Sequence, residues 1–559
     1  MNPFARDPVV RDTSFETRRS RHVVRDTSFE TRRSRHVVRD TSFETRRSRH
    51  GRPGVTFPSP GADTVVGMST TSSPRQSLPY SRPASPHLSR RTLLRGAGIG
   101  ALTVAGLGFG AAASTARSPA VLAADLEVVT VTTTSVTLSW VTYAVASPGP
   151  DGLPAFTEAD TEVSLGPADS AGPPPLAHSD PTPRISHLVT VSGLEPGREY
   201  RFEARSAGRR AVPTLVATRT PASPEIAGVV RTLVPPPGRF VGTVAVLNDT
   251  HVGEDRHGLL FGDFPRAVEQ EPGLPPFAEV MLSAALAEIG GHDVAHLVVN
   301  GDLTSEARPT EVRRARELLD GYGRLGHEYS VTRGNHDRPH TPESDPDAGY
   351  DTASPIPGTD HFDAFGDAFV PFQTAWTRDV GGLRVLGVDS THLDAAGGVI
   401  SAEQFADIER TLADEPDRPT MMLAHHPVTR ESAGTNVGGP GFVLADADAQ
   451  RLQQLHASNP GVFLMLAGHT HRCRVTRGDT NAAVEYLETG SGAGYPGGYT
   501  LLHLYTGGYQ VNFHRTASEQ ALRWTRRSRF ATMAFLPEYT LGTFHDRNHV
   551  VLRDLAGLA

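Results

Sequence analysis

From Thr243 onward the chain repeats one pattern: a short apolar run, then a cluster of ligand-type residues at its end. The run 243–248 (TVAVLN) leads into NDTH, with Asp249 and His251. The run 294–300 (VAHLVVN) leads into Gly-Asp, with Asp302. YSVT at 329–332 precedes RGNHD, with Asn335, His336 and Asp337. TMMLA at 420–424 precedes His425 and His426, and VFLMLAG at 462–468 precedes His469 and His471. LRVLGVD at 383–389 reads as a further strand. Between the runs lie stretches with helical periodicity, at 277–289, 310–322, 402–413 and 447–457. Short apolar runs alternating with amphipathic helices predict an α/β architecture. Sheets of that kind place ligands just beyond their strand ends.

Setting His336 and His426 aside, the clusters offer two carboxylates, one amide and four imidazoles. One metal ion does not need so many donors, whereas two ions sharing a carboxylate do. Hard oxygens with borderline nitrogens suit zinc, manganese, iron or cobalt better than calcium or a thiolate site. Each cluster alone is a common turn or a satisfied histidine; their value lies in coming together, in order, at strand ends.

Composition narrows the chemistry further. All 54 basic residues are arginine, which removes Schiff-base lysine chemistry and a Walker-type phosphate loop. Residues 1–116 carry 19 arginines against 8 acids, a net of +11, and the remainder 35 against 54, a net of −19. So acidic a body is poorly suited to gripping a nucleic-acid backbone, and nucleic acid is not an expected partner. The single cysteine, Cys473, excludes an internal disulfide. It reads as a small apolar strand residue or, from its place beside His471, as a ligand.

The N-terminal segments differ in kind. VVRDTSFETRRSRH occurs unchanged at 9–22, 23–36 and 37–50, with too few apolar residues for a core. Residues 1–67 therefore read as a disordered repeat region or an over-extended start, with Met68 as the alternative first residue. From 68 to 116 a polar stretch leads to paired Arg90 and Arg91, then an uncharged Gly/Ala-rich run from Gly96, then ASTA. That order is the pattern of a cleaved signal peptide, and the arginine pair resembles a twin-arginine signal. The expectation is export to the cell envelope or beyond, with no stable membrane anchor, since no later run is long enough to span a bilayer.

Residues 117–220 alternate apolar and polar in Thr/Val-rich runs, as in 129–143, 186–194 and 200–208, and predict a small antiparallel β-sandwich around Trp140. LEPGREY at 194–200 has the spacing of a tyrosine corner, so the segment resembles a fibronectin type III-like domain. Such a domain is a spacer, a cover for part of the active site, or a contact to a cell-wall polymer. Residues 221–240 are Pro-rich and read as a linker, 241–516 as the catalytic domain, and 517–559 as an extension of unknown role, with a basic patch at 523–530.

The five strand-end motifs together resemble the calcineurin-like metallophosphoesterase superfamily: Asp-x-His, Gly-Asp, Gly-Asn-His-Asp, His, and Gly-His-x-His, over residues 241–512. The resemblance implies a four-layer sandwich of two mixed sheets flanked by helices. It also implies two divalent or mixed-valence metal ions, of iron, manganese or zinc. Asp249, His251 and His471 would hold the first, Asn335, His425 and His469 the second, and Asp302 would bridge them. His336 would donate a proton to the leaving oxygen and Asp337 would orient it.

The implied activity is hydrolysis of a small phosphoester by a hydroxide bridging the metals. Purple acid phosphatases carry a tyrosine three residues after the bridging aspartate and glycine in place of His251. This chain has Ser305 and keeps the histidine, so no purple colour is expected. The Asp-x-His form is more similar to the cyclic-nucleotide and glycerophosphodiester phosphodiesterase branch. A phosphomonoesterase with the same site, or a polymer-binding module that holds metal without turnover, are the alternatives. Arg333 and Arg338 read as phosphate contacts or salt bridges, and His340 and His361 as substrate-facing or surface residues.

Overall fold

The computed structural model describes residues 120–148, 154–213, 223–258, 267–480, 482–529, 531 and 537–558. The repeats and the twin-arginine-like segment lie outside the described residues. The apolar runs form two six-stranded mixed sheets. In the first, His296–Asn300 and Tyr329–Thr332 lie parallel to Phe240–Leu247 on one side. The hairpin Gly498–Tyr505 and Gly508–Arg515 adds antiparallel on the other. In the second, Leu383–Val388, Thr420–Ala424, Val462–Ala467 and Glu485–Glu488 run parallel, with Trp376–Val380 and Arg474–Thr476 antiparallel at the edges.

These central strands are apolar on both faces, which is why they read as continuous runs rather than alternating ones. Val244, Val246 and Val298 of the first sheet meet Val385, Leu423 and Leu464 of the second in one core. Their neighbours Ala245, Leu297 and Val299 face the helices Phe277–Ile289 and Pro309–Tyr322. On the far side of the second sheet, Leu386, Met422 and Met465 pack against the helices Ala402–Asp414 and Asp446–Ser458. Each parallel strand therefore ends at the same edge of a rigid stack, and the motif loops emerge there.

Upstream, the described strands between residues 121 and 231 form two antiparallel sheets. Their inward side chains share one core, with Trp140 fully buried among Leu138, Val163, Tyr200 and Phe202. Trp140 stacks on His187 at 4.8 Å and donates to Ser206 Oγ at 2.9 Å. The Tyr200 phenol oxygen accepts the Glu195 amide at 2.8 Å, which ties off the turn LEPGREY.

Two expected boundaries give way to packing. Within the stretch read as linker, Pro224–Ala227 is a short helix and Val229–Arg231 pairs with Glu199–Ser206. A three-residue strand is too short to show a period, so composition alone pointed to a linker. The C-terminal stretch is likewise part of the body. Asn548–Leu552 is the edge strand of the first six-stranded sheet, paired with Gly508–Arg515. The helix Glu519–Ser528 buries Ala521 and Trp524 against Phe277 and Met281. Among the described residues no helix is long and apolar enough to cross a membrane.

Trp524 stacks on Phe277 with ring centroids 3.8 Å apart, and its Nε1 donates to Ala493 O at 2.8 Å. Trp524→Ala should cost about 3–5 kcal/mol in urea unfolding, as for other buried aromatics. A loss below about 1 kcal/mol would show that this helix is an appendage rather than part of the core.

Candidate metal centre

At the ends of the parallel strands the backbone turns sharply. Asp249, His251, Asp302, His469 and His471 all have positive φ, between 48° and 66°. For a residue with a Cβ this conformation costs about 1–2 kcal/mol, and it persists where surrounding contacts over-determine it. Here the first two loops are zipped together. Asp249 N donates to Gly301 O at 3.0 Å, and Thr250 N and His251 N donate to Asp302 O at 2.8 and 3.0 Å. The second and third loops touch at their glycines: a Cβ on Gly334 would sit 2.1 Å from Asp302 N. Only glycine allows that approach, which explains the Gly-Asp and Gly-Asn spellings.

The turns aim the side chains into one buried pocket. Ligand atoms of Asp249, His251, Asp302 and His471 lie within 4.8 Å of one another, and those of Asp302, His425 and His469 do likewise. Asp302 belongs to both groups. Its Oδ1 accepts the His336 amide at 2.9 Å, and its Oδ2 lies 3.1 Å from His425 Nε2 and 3.8 Å from His251 Nε2. Asp249 Oδ1 accepts the His469 amide at 2.9 Å and stands 3.4 Å from His471 Nε2. His425 Nδ1 donates to Asn300 O at 3.0 Å, which leaves Nε2 facing the carboxylates.

Two buried polar atoms here have no hydrogen-bond partner: His469 Nε2 and Asn335 Oδ1. An unsatisfied buried polar atom costs about 1–3 kcal/mol, so two beside clustered carboxylates are unfavourable unless a cation completes them. The donor set and the orphaned atoms fit a metal centre.

Electrostatics agree. Burial opposes charge on His425, but the Asp302 and Asp249 carboxylates outweigh it and raise its pKa to about 9. His471 rises for the same reason, chiefly through Asp249. Burial likewise opposes ionisation of Asp302, and His425 and His336 outweigh it, holding the carboxyl well below its usual range. His469, buried beside His426 and His425, falls well below an ordinary imidazole. The pocket concentrates negative charge on Asp249 and Asp302, a field that suits a cation in place of the protons on His425 and His471.

The expected partner of His336 changes. Its Nδ1 donates to Ser305 O at 2.6 Å, so a backbone carbonyl orients the ring. Asp337 faces away from that task. Its carboxylate accepts Leu303 N at 3.0 Å, Thr304 N at 2.8 Å, Thr304 Oγ1 at 2.6 Å and Gly334 N at 3.1 Å. Four donors outcompete one imidazole, so Asp337 braces the Asp302 loop instead.

Other sequence candidates sort by their contacts. Arg333 is fully buried, paired with Asp363 at 2.7 Å and near Asp389 at 3.3 Å, so it is structural. Arg338 donates to Asn335 O. His361 Nε2 lies 3.1 Å from Asp394, and His340 is buried, so neither is a free surface residue. Both nitrogens of His426 are used, by Ser390 Oγ at 2.9 Å and Ala396 O at 3.1 Å. Cys473 packs with Val129, Tyr495, Phe513 and Leu541, and burial pushes its thiol up to about 12, which favours the apolar reading.

Several residues at the site are absent from the sequence reading. Asn248 Nδ2 binds the Asp249 carboxylate and donates to Thr489 O at 3.1 Å. Glu254 pairs with His257 at 2.9 Å, and the His257 ring stacks 6.0 Å from His471. Phe442 stacks on His469 at 3.9 Å. The signal for Asn248 and Glu254 is their nearness to Asp249 in sequence; Phe442 has none.

Several known proteins are similar to this chain. Among solved structures, a dimetal phosphatase from Danio rerio aligns at 14% identity and TM-score 0.36 over 50% of this chain and 98% of its own. A purple acid phosphatase from yellow lupin (Lupinus luteus) seeds aligns at 14% identity and TM-score 0.34, over 71% and 73%. A glycerophosphodiester phosphodiesterase, GpdQ, from Enterobacter lignolyticus is 26% identical over 190 residues, which is 32% of this chain and 57% of that protein. The chain thus matches a little over half the length of this curated relative. Residues 242–473, which hold every ligand-type residue of the pocket, match the family model of the calcineurin-like phosphoesterases.

Proposed function

We propose that this protein is a dinuclear-metal phosphoesterase, and specifically a phosphodiesterase, built on the four-layer sandwich of that superfamily. The observation that carries the reading is the shared Asp302: two ligand groups meet at one carboxylate, with the unpartnered His469 Nε2 beside it. Asp249, His251 and His471 would hold one cation, and Asn335, His425 and His469 the other. Such cations lower the pKa of bound water and neutralise charge on phosphoryl oxygens. The Asp-x-His form of the first motif and the match to a glycerophosphodiester phosphodiesterase favour a diester. Export belongs to the same reading and rests on Arg90, Arg91 and the uncharged run after Gly96.

The chain's own groups have distinct tasks. Asp302 has one oxygen fixed by the His336 amide, so the other is held in place toward the pocket. His336 lies beside the pocket, its ring 4.8 Å from that of His251. With Nδ1 spent on Ser305 O, its Nε2 is the atom left to give a proton to a leaving oxygen. Asp337 acts indirectly, by bracing the loop that carries Asp302.

Parallel rates on a bis-aryl and a mono-aryl phosphate, with metal content measured, test the assignment. The expected outcome is faster turnover of the diester with two metals bound. A faster monoester rate would make the protein a phosphomonoesterase, and bound metal without turnover a binding module. Asp302→Asn should lose metal and nearly all activity; a folded variant with two metals and full rate would refute the shared-ligand role. His336→Ala should keep its metal and lose roughly 10²–10⁴-fold in rate, more for poor leaving groups. Equal slowing of activated and unactivated esters would rule out proton donation by His336.

A further inference from the structure

The loop that follows strand Glu485–Glu488 grips the first metal-ligand motif from behind. Ser491 Oγ and Ala493 N donate to Asp249 O, both at 2.9 Å, and Gly492 N donates to Asn248 O at 2.8 Å. Thr489 Oγ1 and Asn248 Oδ1 are also bonded. These contacts hold Asp249 in its positive-φ conformation. Yet residues 489–497, TGSGAGYPG, include four glycines. A stretch so rich in glycine has little conformational preference of its own and takes its shape from its anchors.

One set of anchors lies on the N-terminal sheets. Tyr495 Oη donates to Glu127 Oε1 at 2.7 Å. Arg515 Nη1 donates to Glu127 Oε2 at 2.7 Å, while Arg515 Nε holds Pro496 O at 3.0 Å. Arg529 also pairs with Glu127. Glu127 is 1% exposed, so this face of the sheet is closed to any polymer. A buried carboxylate shared by two guanidiniums and a phenol is held firmly in place, and so is whatever it touches. The second anchor is Trp524, through Ala493 O.

We propose that Glu127 is a positioning residue for the metal centre. Acting through Tyr495 and the 489–497 loop, it fixes the backbone of Asp249, so the N-terminal sheets are a working part of the phosphoesterase rather than a detachable module. The inference rests on the metal-centre reading above and adds a residue that no strand-end motif contains.

Cobalt(II) titration of the full chain, followed by its visible absorption, tests it. Glu127→Gln and Tyr495→Phe should each weaken one of two cobalt sites roughly tenfold, as expected for loss of an outer support, and leave the other at wild-type affinity. Glu225→Gln is the control. Glu225 is buried at the same interface, where it accepts Val128 N at 3.1 Å and pairs with Arg547 at 3.3 Å, apart from the loop. It should lose thermal stability while binding both cobalt ions normally. Unchanged cobalt affinity in a folded Glu127→Gln would overturn the proposal, and so would equal weakening in Glu225→Gln. Should Glu127→Gln not fold, Tyr495→Phe decides alone on the same criterion. Wild-type protein that takes up no cobalt would instead overturn the metal-centre reading itself.

Discussion

Two carboxylates buried side by side repel each other and forfeit their hydration, and the rest of this structure is arranged around making that tolerable. Asp249 and Asp302 are 0% and 1% exposed. Each gives one oxygen to a backbone amide of a different loop, His469 N for Asp249 and His336 N for Asp302. The other charges are met by His425, His336 and His471, whose affinity for protons rises accordingly. The field that tightens three imidazoles in this way also suits a divalent cation.

The constraint spreads outward through the backbone. Strained turns at five ligand-type residues hold only because neighbouring loops cross-bond them and because Gly301 and Gly334 let the chains touch. The Asp337 carboxylate belongs to that scaffold. Behind it, the glycine-rich loop 489–497 links the Asp249 backbone to helix Glu519–Ser528 and to the N-terminal sheets. Elements that look peripheral in sequence, the strand Val121–Val131 and the helix Glu519–Ser528, are thus in contact with the supports of the site.

Much of the architecture is legible in the sequence. The helix at 277–289 and the strand at 329–332 stand where periodicity puts them. The strand-end residues converge, since a parallel sheet carries all its C-terminal strand ends to one edge. The strand Val229–Arg231 is not legible, because three residues have no period. Nor is the capture of Asp337 by the Asp302 loop, because a carboxylate beside a histidine gives no hint of the four donors that fold in against it.

The division has a physical basis. Secondary structure and the identity of the ligand-type residues follow from patterns within ten or so neighbours, and the sequence by itself determined them. Which atom meets which was decided by packing between distant segments. Glu127 and Tyr495 are 368 positions apart, and His425 and Asn300 are 125 apart. Contacts of that range leave no local signature, so only the folded chain shows that Ser305 aims His336 and that Glu127 stands behind Asp249.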